Sequence, residues 1–278
     1  MPKSTSLKNK PRLGVCGCGA IGARIAQSTT TELKKHYRLT ALYDQDHTKT
    51  EVLAQKLKNR SLSKKSFRDL LKSSDVVVEA VNPPAARPII RQALIQKKHT
   101  LAMSIGRLLL AQDLFQLAQK KHCQLLIPSG AVSGIDTVKA ASLKKISKIV
   151  LTTRKPLRGF SGNPYLKKKG IRLDKIRGTT VIFEGSVTQA IKHFPQNINV
   201  AATVALASRH PKKLKIRLLT SPYFTVNSHE VEIMGDFGHM VSRTENKICP
   251  DNPKTSYLAV LSAIQTLKDF STGARIGT

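Results

Sequence analysis

The chain has 278 residues, with 47 lysines and arginines against 17 aspartates and glutamates, a formal charge of +30. That length holds one large or two modest domains with a buried core, and 40% hydrophobic residues is ordinary for a soluble protein. The lysines are scattered in short pairs and aromatic residues make up only 5%, without tryptophan, so base-stacking platforms are scarce and a nucleic-acid partner is not expected. No apolar run approaches the roughly eighteen residues of a membrane helix.

The four cysteines, 16, 18, 123 and 249, fit no metal-knuckle spacing. They read as free thiols in a reducing compartment, the cytoplasm, and no metal site is expected. Residues 1–10 read as a disordered basic tail. The stretch LGVCGCGAIGA that follows imitates a signal peptide, but its four glycines in eleven residues make a poor apolar helix.

From residue 12 strand and helix patterns alternate. RLGVCG (12–17) reads as a strand, IGARIAQSTTTELKKH as a helix, YRLTALYD (37–44) as a strand and HTKTEVLAQKLKNR as a helix. SDVVVEAV (74–81) is a β-branched run suited to a strand buried on both faces. Helix, strand, helix and strand follow in ARPIIRQALIQKK, HTLAMSI, LLLAQDLFQLAQKKH and CQLLIPSG (123–130). This alternation predicts a Rossmann-type, doubly wound parallel sheet.

After about residue 131 the pattern changes. KISKIVLTTRKP, GTTVIFEG, LKIRLLTSP and SHEVEIMGDFGHMVSRTE alternate as strands, with helices at SVTQAIKHF and NVAATVALAS and a last one at 254–270. The expectation is a smaller α+β catalytic/dimerisation domain with an antiparallel or mixed sheet. Residues 11–131 with 253–278 would form the dinucleotide-binding domain and 132–252 the substrate domain.

Gly17-x-Gly19-x-x-Gly22 follows the first strand and opens a helix. In that context Gly17 permits the tight turn, Gly19 lets backbone approach a pyrophosphate, and Gly22 lets helix and strand pack closely. The helix start, with Ala20 and Ile21, offers free N–H groups to phosphate. Asp44 ends the second strand 22 residues after Gly22, where an acid accepts from the adenosine ribose. Asp44 argues for NAD; His47 and Lys49 leave NADP open.

Four polar motifs recur in order in the second half: PSGAVSGID (128–136), TTRKP (152–156), FPQNINVAA (194–202) and NPKTS (252–256). With the glycine turn and VVVEA, they resemble the L-aspartate dehydrogenase family over residues 12–270. The resemblance implies a cytosolic, commonly dimeric, NAD(P)-dependent enzyme that oxidises L-aspartate to iminoaspartate. It places the catalytic histidine at His229 and nicotinamide-side contacts at Ala131, through its backbone N–H, and at Asn199. Asn199 also suits a helix N-cap. Asn197 is the close alternative and a possible substrate contact. His193 and His239 are weaker candidates for the base.

Two substrate carboxylates call for cations or helix starts, and Lys254 with Thr255, at a helix opening, are candidates; Lys155 is another. Ser104-Ile105-Gly106-Arg107 departs from the family, which has a small residue in place of Arg107, and the family does not account for the charge. Two other readings stay open: a dehydrogenase for another small acidic amino or oxo acid, and a catalytically silent dinucleotide-binding regulator with a basic nucleic-acid-binding surface.

Overall fold

A computed structural model describes residues 10–195, 198–249, 252–273 and 276–277, without the side chains of Pro83, Arg107, Leu110 and 252–255. The chain forms two compact units, one reaching to Pro128 and regaining Val260–Arg275, the other comprising Ser129–Ala259 with Ile276–Thr278.

The first unit holds a parallel sheet of β1 (Arg12–Cys16), β2 (Arg38–Tyr43), β3 (Val76–Glu79), β4 (His99–Ala102) and β5 (Leu125–Leu126), in the order β2-β1-β3-β4-β5. The order reverses between β1 and β3, the switch point at which such sheets bind ligands beyond their carboxyl ends. All four residues of β3 are buried, as a strand covered on both faces requires. Helices α1 (Ala20–Ser28), α2 (His47–Lys56), α3 (Phe67–Lys72), α4 (Pro83–Ile95) and α5 (Gln112–Lys120) connect the strands.

The expected first helix stops early, at Ser28. Hydroxyls of Ser28, Thr29 and Thr30 bond back to the carbonyls of Ile25, Ala26 and Gln27, and such side chains compete with the helix ladder. The strand expected over 123–130 keeps only two residues, Leu125–Leu126. Helix α3 was not anticipated, although the Ser66 hydroxyl caps the Asp69 N–H at its start.

The second unit holds a mixed sheet of order β10-β9-β6-β8-β7. Its strands are β6 (Ile146–Pro156), β7 (Thr180–Ser186), β8 (Leu214–Ser221), β9 (Asn227–Gly235) and β10 (Gly238–Asn246). Only the β6–β8 pair is parallel. Helices α6 (Ile135–Ala141), α7 (Pro164–Lys168), α8 (Val187–His193) and α9 (Asn199–Ser208) complete the unit, and α6 packs on α9.

Register sorts the sheet into two faces. Ile149, Leu151 and Thr153 pair with Ile233, Val231 and His229 on one side and with Leu214, Ile216 and Leu218 on the other, and all nine are buried. The alternate positions carry ion pairs, among them Arg154–Glu230 at 3.1 Å and Lys148–Glu232 at 2.8 Å.

β11 (Ile248–Cys249) and β12 (Asn252–Ser256) pair antiparallel, and α10 (Tyr257–Thr272) follows. The last helix thus begins three residues later than the sequence pattern predicts, because 252–256 is drawn into this small ladder. Lys254 and Thr255 lie on a strand, not at a helix opening. Helix α10 buries Val260, Ala263, Ile264 and Leu267, and the Tyr37 hydroxyl donates to the Leu267 carbonyl at 2.7 Å.

Candidate active site

The glycine turn leads from β1 into α1. Gly17 has φ +98°, and a Cβ there would collide with the Ala80 carbonyl. A Cβ on Gly22 would collide with the Gly17 carbonyl, so the helix can lie this close to the turn only without a side chain. Gly19 differs: a Cβ there would have no neighbour within 4 Å. Gly19 is the N-cap of α1, with extended backbone and no side chain to satisfy the helix start. The first-turn N–H groups of α1 thus lack a capping side chain at Gly19, which fits a dinucleotide's pyrophosphate.

Asp44 is tied to this turn. Its Oδ2 accepts from the Cys18 N–H at 2.7 Å, and its Oδ1 from the Asp46 N–H at 3.0 Å. Each oxygen keeps a lone pair for a ribose hydroxyl. A cavity of about 300 Å³ beside it is lined by Cys18, Ala23, Asp46, Thr48, Lys49 and Leu53, among others. Lys49 is paired with Asp46 at 3.4 Å.

The second constellation is the polar end of the otherwise apolar face in the second unit. His229 is 5% exposed. Its Nδ1 lies 3.0 Å from the Thr153 hydroxyl on the neighbouring strand. Burial above all, with a smaller push from the charge on Lys155, lowers His229 to about 3, so its imidazole is neutral. Lys155 follows Thr153 on the same side of β6, and burial lowers its ammonium to about 8.

On the other flank, Thr244 pairs with His229 in the β10–β9 ladder. The Thr244 hydroxyl and the Asn246 amide both donate to the Ala131 carbonyl, at 3.1 and 3.0 Å. Asn246 is 2% exposed, and its Oδ1 has no partner among the described residues. Gly134, at φ +76°, lets the same segment pass against Ser242, whose hydroxyl bonds that of Ser133. The motif is thus laid along β10, with the Ala131 carbonyl held by two side chains of that strand.

A family model described as the C-terminal part of aspartate dehydrogenase matches residues 136–270, and one described as the NAD-binding domain of homoserine dehydrogenase matches 17–128. An L-aspartate dehydrogenase of Methanosarcina barkeri is 41% identical, over 96% of this chain and 99% of its own. The chain belongs to the L-aspartate dehydrogenase family. Another member, from Methanococcus maripaludis, is 40% identical over 96% of this chain and 99% of its own. In fold the chain is similar to a crystal structure of aspartate dehydrogenase from Thermotoga maritima, with a TM-score of 0.72 at 22% identity over 97% of this chain and all of that one. A hyperthermophilic archaeal homoserine dehydrogenase, solved with NADPH, gives a TM-score of 0.60 at 10% identity, covering 97% of this chain and 99% of that one.

For this family member, Gly17, Gly19, Ala20, Ile21, Gly22 and Asp44 gather at one turn, and His229 and Ala131 lie within one ladder of each other through Thr244. Asn199 is exposed and occupies the first position of α9; the N-cap is Ile198, without a side-chain bond. The N-cap expectation for Asn199 is therefore corrected: the chain is already helical at 198, with φ −104° and ψ −16°. Asn197 and the side chains of Arg107, Lys254 and Thr255 lie outside the described residues. His193 packs in a ring cluster, 4.6 Å from Tyr165, and the half-exposed His239 pairs with Glu232 on the charged face. Thr153, Thr244 and Asn246 were missed by sequence reasoning; Thr153 alone had a signal, since it lies within the motif TTRKP.

Proposed function

We propose that this NAD(P)-dependent oxidoreductase oxidises L-aspartate to iminoaspartate, which water converts to oxaloacetate and ammonia, with His229 as the acid/base. The observation that carries the proposal is the neutral, buried His229, fixed by Thr153 beside Lys155, in a chain 41% identical to an L-aspartate dehydrogenase.

For Nε2 to accept a proton, Nδ1 must carry the other one and donate it to the Thr153 oxygen, which fixes the tautomer. The neutral imidazole takes a proton from the substrate ammonium or from the water that attacks the imine. Substrate carboxylates alongside favour the imidazolium so formed, and Lys155, facing the same way on β6, is a cation for one of them. Asn197, Lys254 and Thr255 remain proposed substrate contacts. Ala131, through its N–H, and Asn199 remain proposed contacts of the nicotinamide; Asn246 and Thr244 hold the Ala131 peptide in place.

The turn Gly17–Gly22 and Asp44 would hold the dinucleotide's phosphates and ribose. When bound, the cofactor supplies the hydride acceptor for the substrate Cα. A cytoplasmic homodimer is part of the same reading. The four buried free thiols fit a reducing compartment, and Val241 and Met234, exposed on the charged face of the sheet, fit a surface that a second copy covers.

The test is reduction of NAD or NADP by the purified protein, followed by absorbance, with L-aspartate and in parallel with glutamate, alanine and homoserine. Turnover with aspartate alone supports the proposal. No turnover in either direction, with oxaloacetate and ammonia as the reverse substrates, would overturn it.

A further inference from the structure

Glu79, the last residue of β3, is fully buried and is not part of the chemistry above. Its Oε2 accepts from the N–H groups of Met103 and Ser104, at 3.2 and 3.1 Å. Its Oε1 accepts from the Val81 N–H at 3.0 Å and lies 2.9 Å from the Ser104 hydroxyl. That hydroxyl is also 2.7 Å from the Val81 carbonyl. A serine hydroxyl has one proton, and here it faces two oxygens. If Glu79 were a carboxylate, one of the two contacts would set oxygen lone pairs against each other in a buried place.

We propose that Glu79 is a positioning residue for the dinucleotide turn and works as a neutral carboxylic acid: Oε1 donates its proton to the Ser104 hydroxyl, which donates its own to the Val81 carbonyl. Every donor and acceptor in the cluster is then paired. Burial drives the carboxyl the same way, upward from its usual range, against the bonds it receives. Cys16, its register partner on β1, is the titratable neighbour among the described residues, and burial above all pushes that thiol upward, so it stays protonated.

The cluster ties the turn after β3 to the end of β4. That turn supports the glycines, since Gly17 lies against the Ala80 carbonyl and the Ala80 N–H bonds Cys16. Ionising Glu79 takes the Ser104 proton from Val81, releases the turn and disturbs the pyrophosphate cradle. The inference rests on the reading that Gly17–Gly22 holds a dinucleotide.

The experiment measures NADH binding by fluorescence from neutral to alkaline pH, and the infrared carboxyl C=O band with and without ¹³C-glutamate, in the wild type and in Glu79→Gln. The expected results are a protonated-carboxyl band lost in the variant, and wild-type affinity that falls at high pH. Glu79→Gln should bind up to about tenfold more weakly, because the Val81 N–H loses its acceptor, yet show no alkaline fall. A wild type without that band, or a variant with the same alkaline fall, overturns the proposal. If Glu79→Gln does not fold, the labelled wild-type spectrum still decides the protonation. If the wild type binds no dinucleotide, the cofactor reading fails while the infrared band still reports the proton.

Discussion

Thr153 and His229 face each other across the β6–β9 pair, 76 residues apart in sequence, with the threonine hydroxyl 3.0 Å from the imidazole Nδ1. In the proposed role of His229, that hydroxyl sets which ring nitrogen carries the proton. Thr153→Val keeps the shape and removes that bond. It should lower kcat about ten- to a hundredfold while leaving NADH binding unchanged, and His229→Ala should lose about a hundred- to ten-thousandfold. Equal losses of kcat and NADH affinity in Thr153→Val would instead indicate a packing role.

The pH dependence of folding follows from the same histidine. In the unfolded chain it titrates near 6.5; in the fold, burial, then Lys155, lowers it to about 3. Between those values the unfolded state binds more protons, so His229 removes stability as pH falls through that window. Urea midpoints measured from pH 7 down to pH 4 should drop more steeply in the wild type than in His229→Asn. Parallel slopes would contradict a neutral buried imidazole.

Lys155 should set the alkaline side of catalysis. Burial lowers it to about 8, so it is charged below that pH and neutral above it. If it receives a substrate carboxylate, KM for aspartate should rise as pH passes about 8. Lys155→Arg, which stays charged, should move that rise upward, as kcat/KM profiles would show.

The three glycines of the turn separate into two kinds. Gly22→Ala meets the Gly17 carbonyl and should cost about 1–3 kcal/mol of stability as well as cofactor binding. Gly19→Ala meets nothing, so the melting temperature should hold while NADH affinity falls. Thermal melts and NADH titrations on both variants check the contrast.

Asp44, the proposed ribose contact, presents a carboxylate beside the glycine turn, and the nearby Lys49 is already paired with Asp46. NAD should therefore be preferred over NADP. Asp44→Asn should narrow the preference by about tenfold by removing the repulsion of a 2′-phosphate. Steady-state kcat/KM with each cofactor measures it.

Much of the first unit was legible because its signals are local. The run VVVE, the glycine spacing and the strand–helix alternation each depend on residues within one turn or one strand. Helix ends were less legible: hydroxyls at Ser28, Thr29 and Thr30 ended α1, and pairing with β11 took 252–256 from α10. His229, Ala131 and Asp44 were singled out by motif, not by their partners. The partners were hidden: Asn246 reaches Ala131 across 115 residues, and Ser104 reaches Glu79 across 25.

The sequence by itself determined a glycine turn between strand and helix, a parallel sheet, a second unit of mixed strands and a family resemblance, because periodicity and glycine geometry act at short range. Tertiary structure decided which polar side chains are buried and what they bond. A threonine or asparagine on a strand reads as a surface residue until register places it opposite a histidine or a carbonyl. Desolvation then turns those neighbours into a neutral imidazole and a weakened ammonium. That change depends on how much chain covers the groups, which no local spacing records.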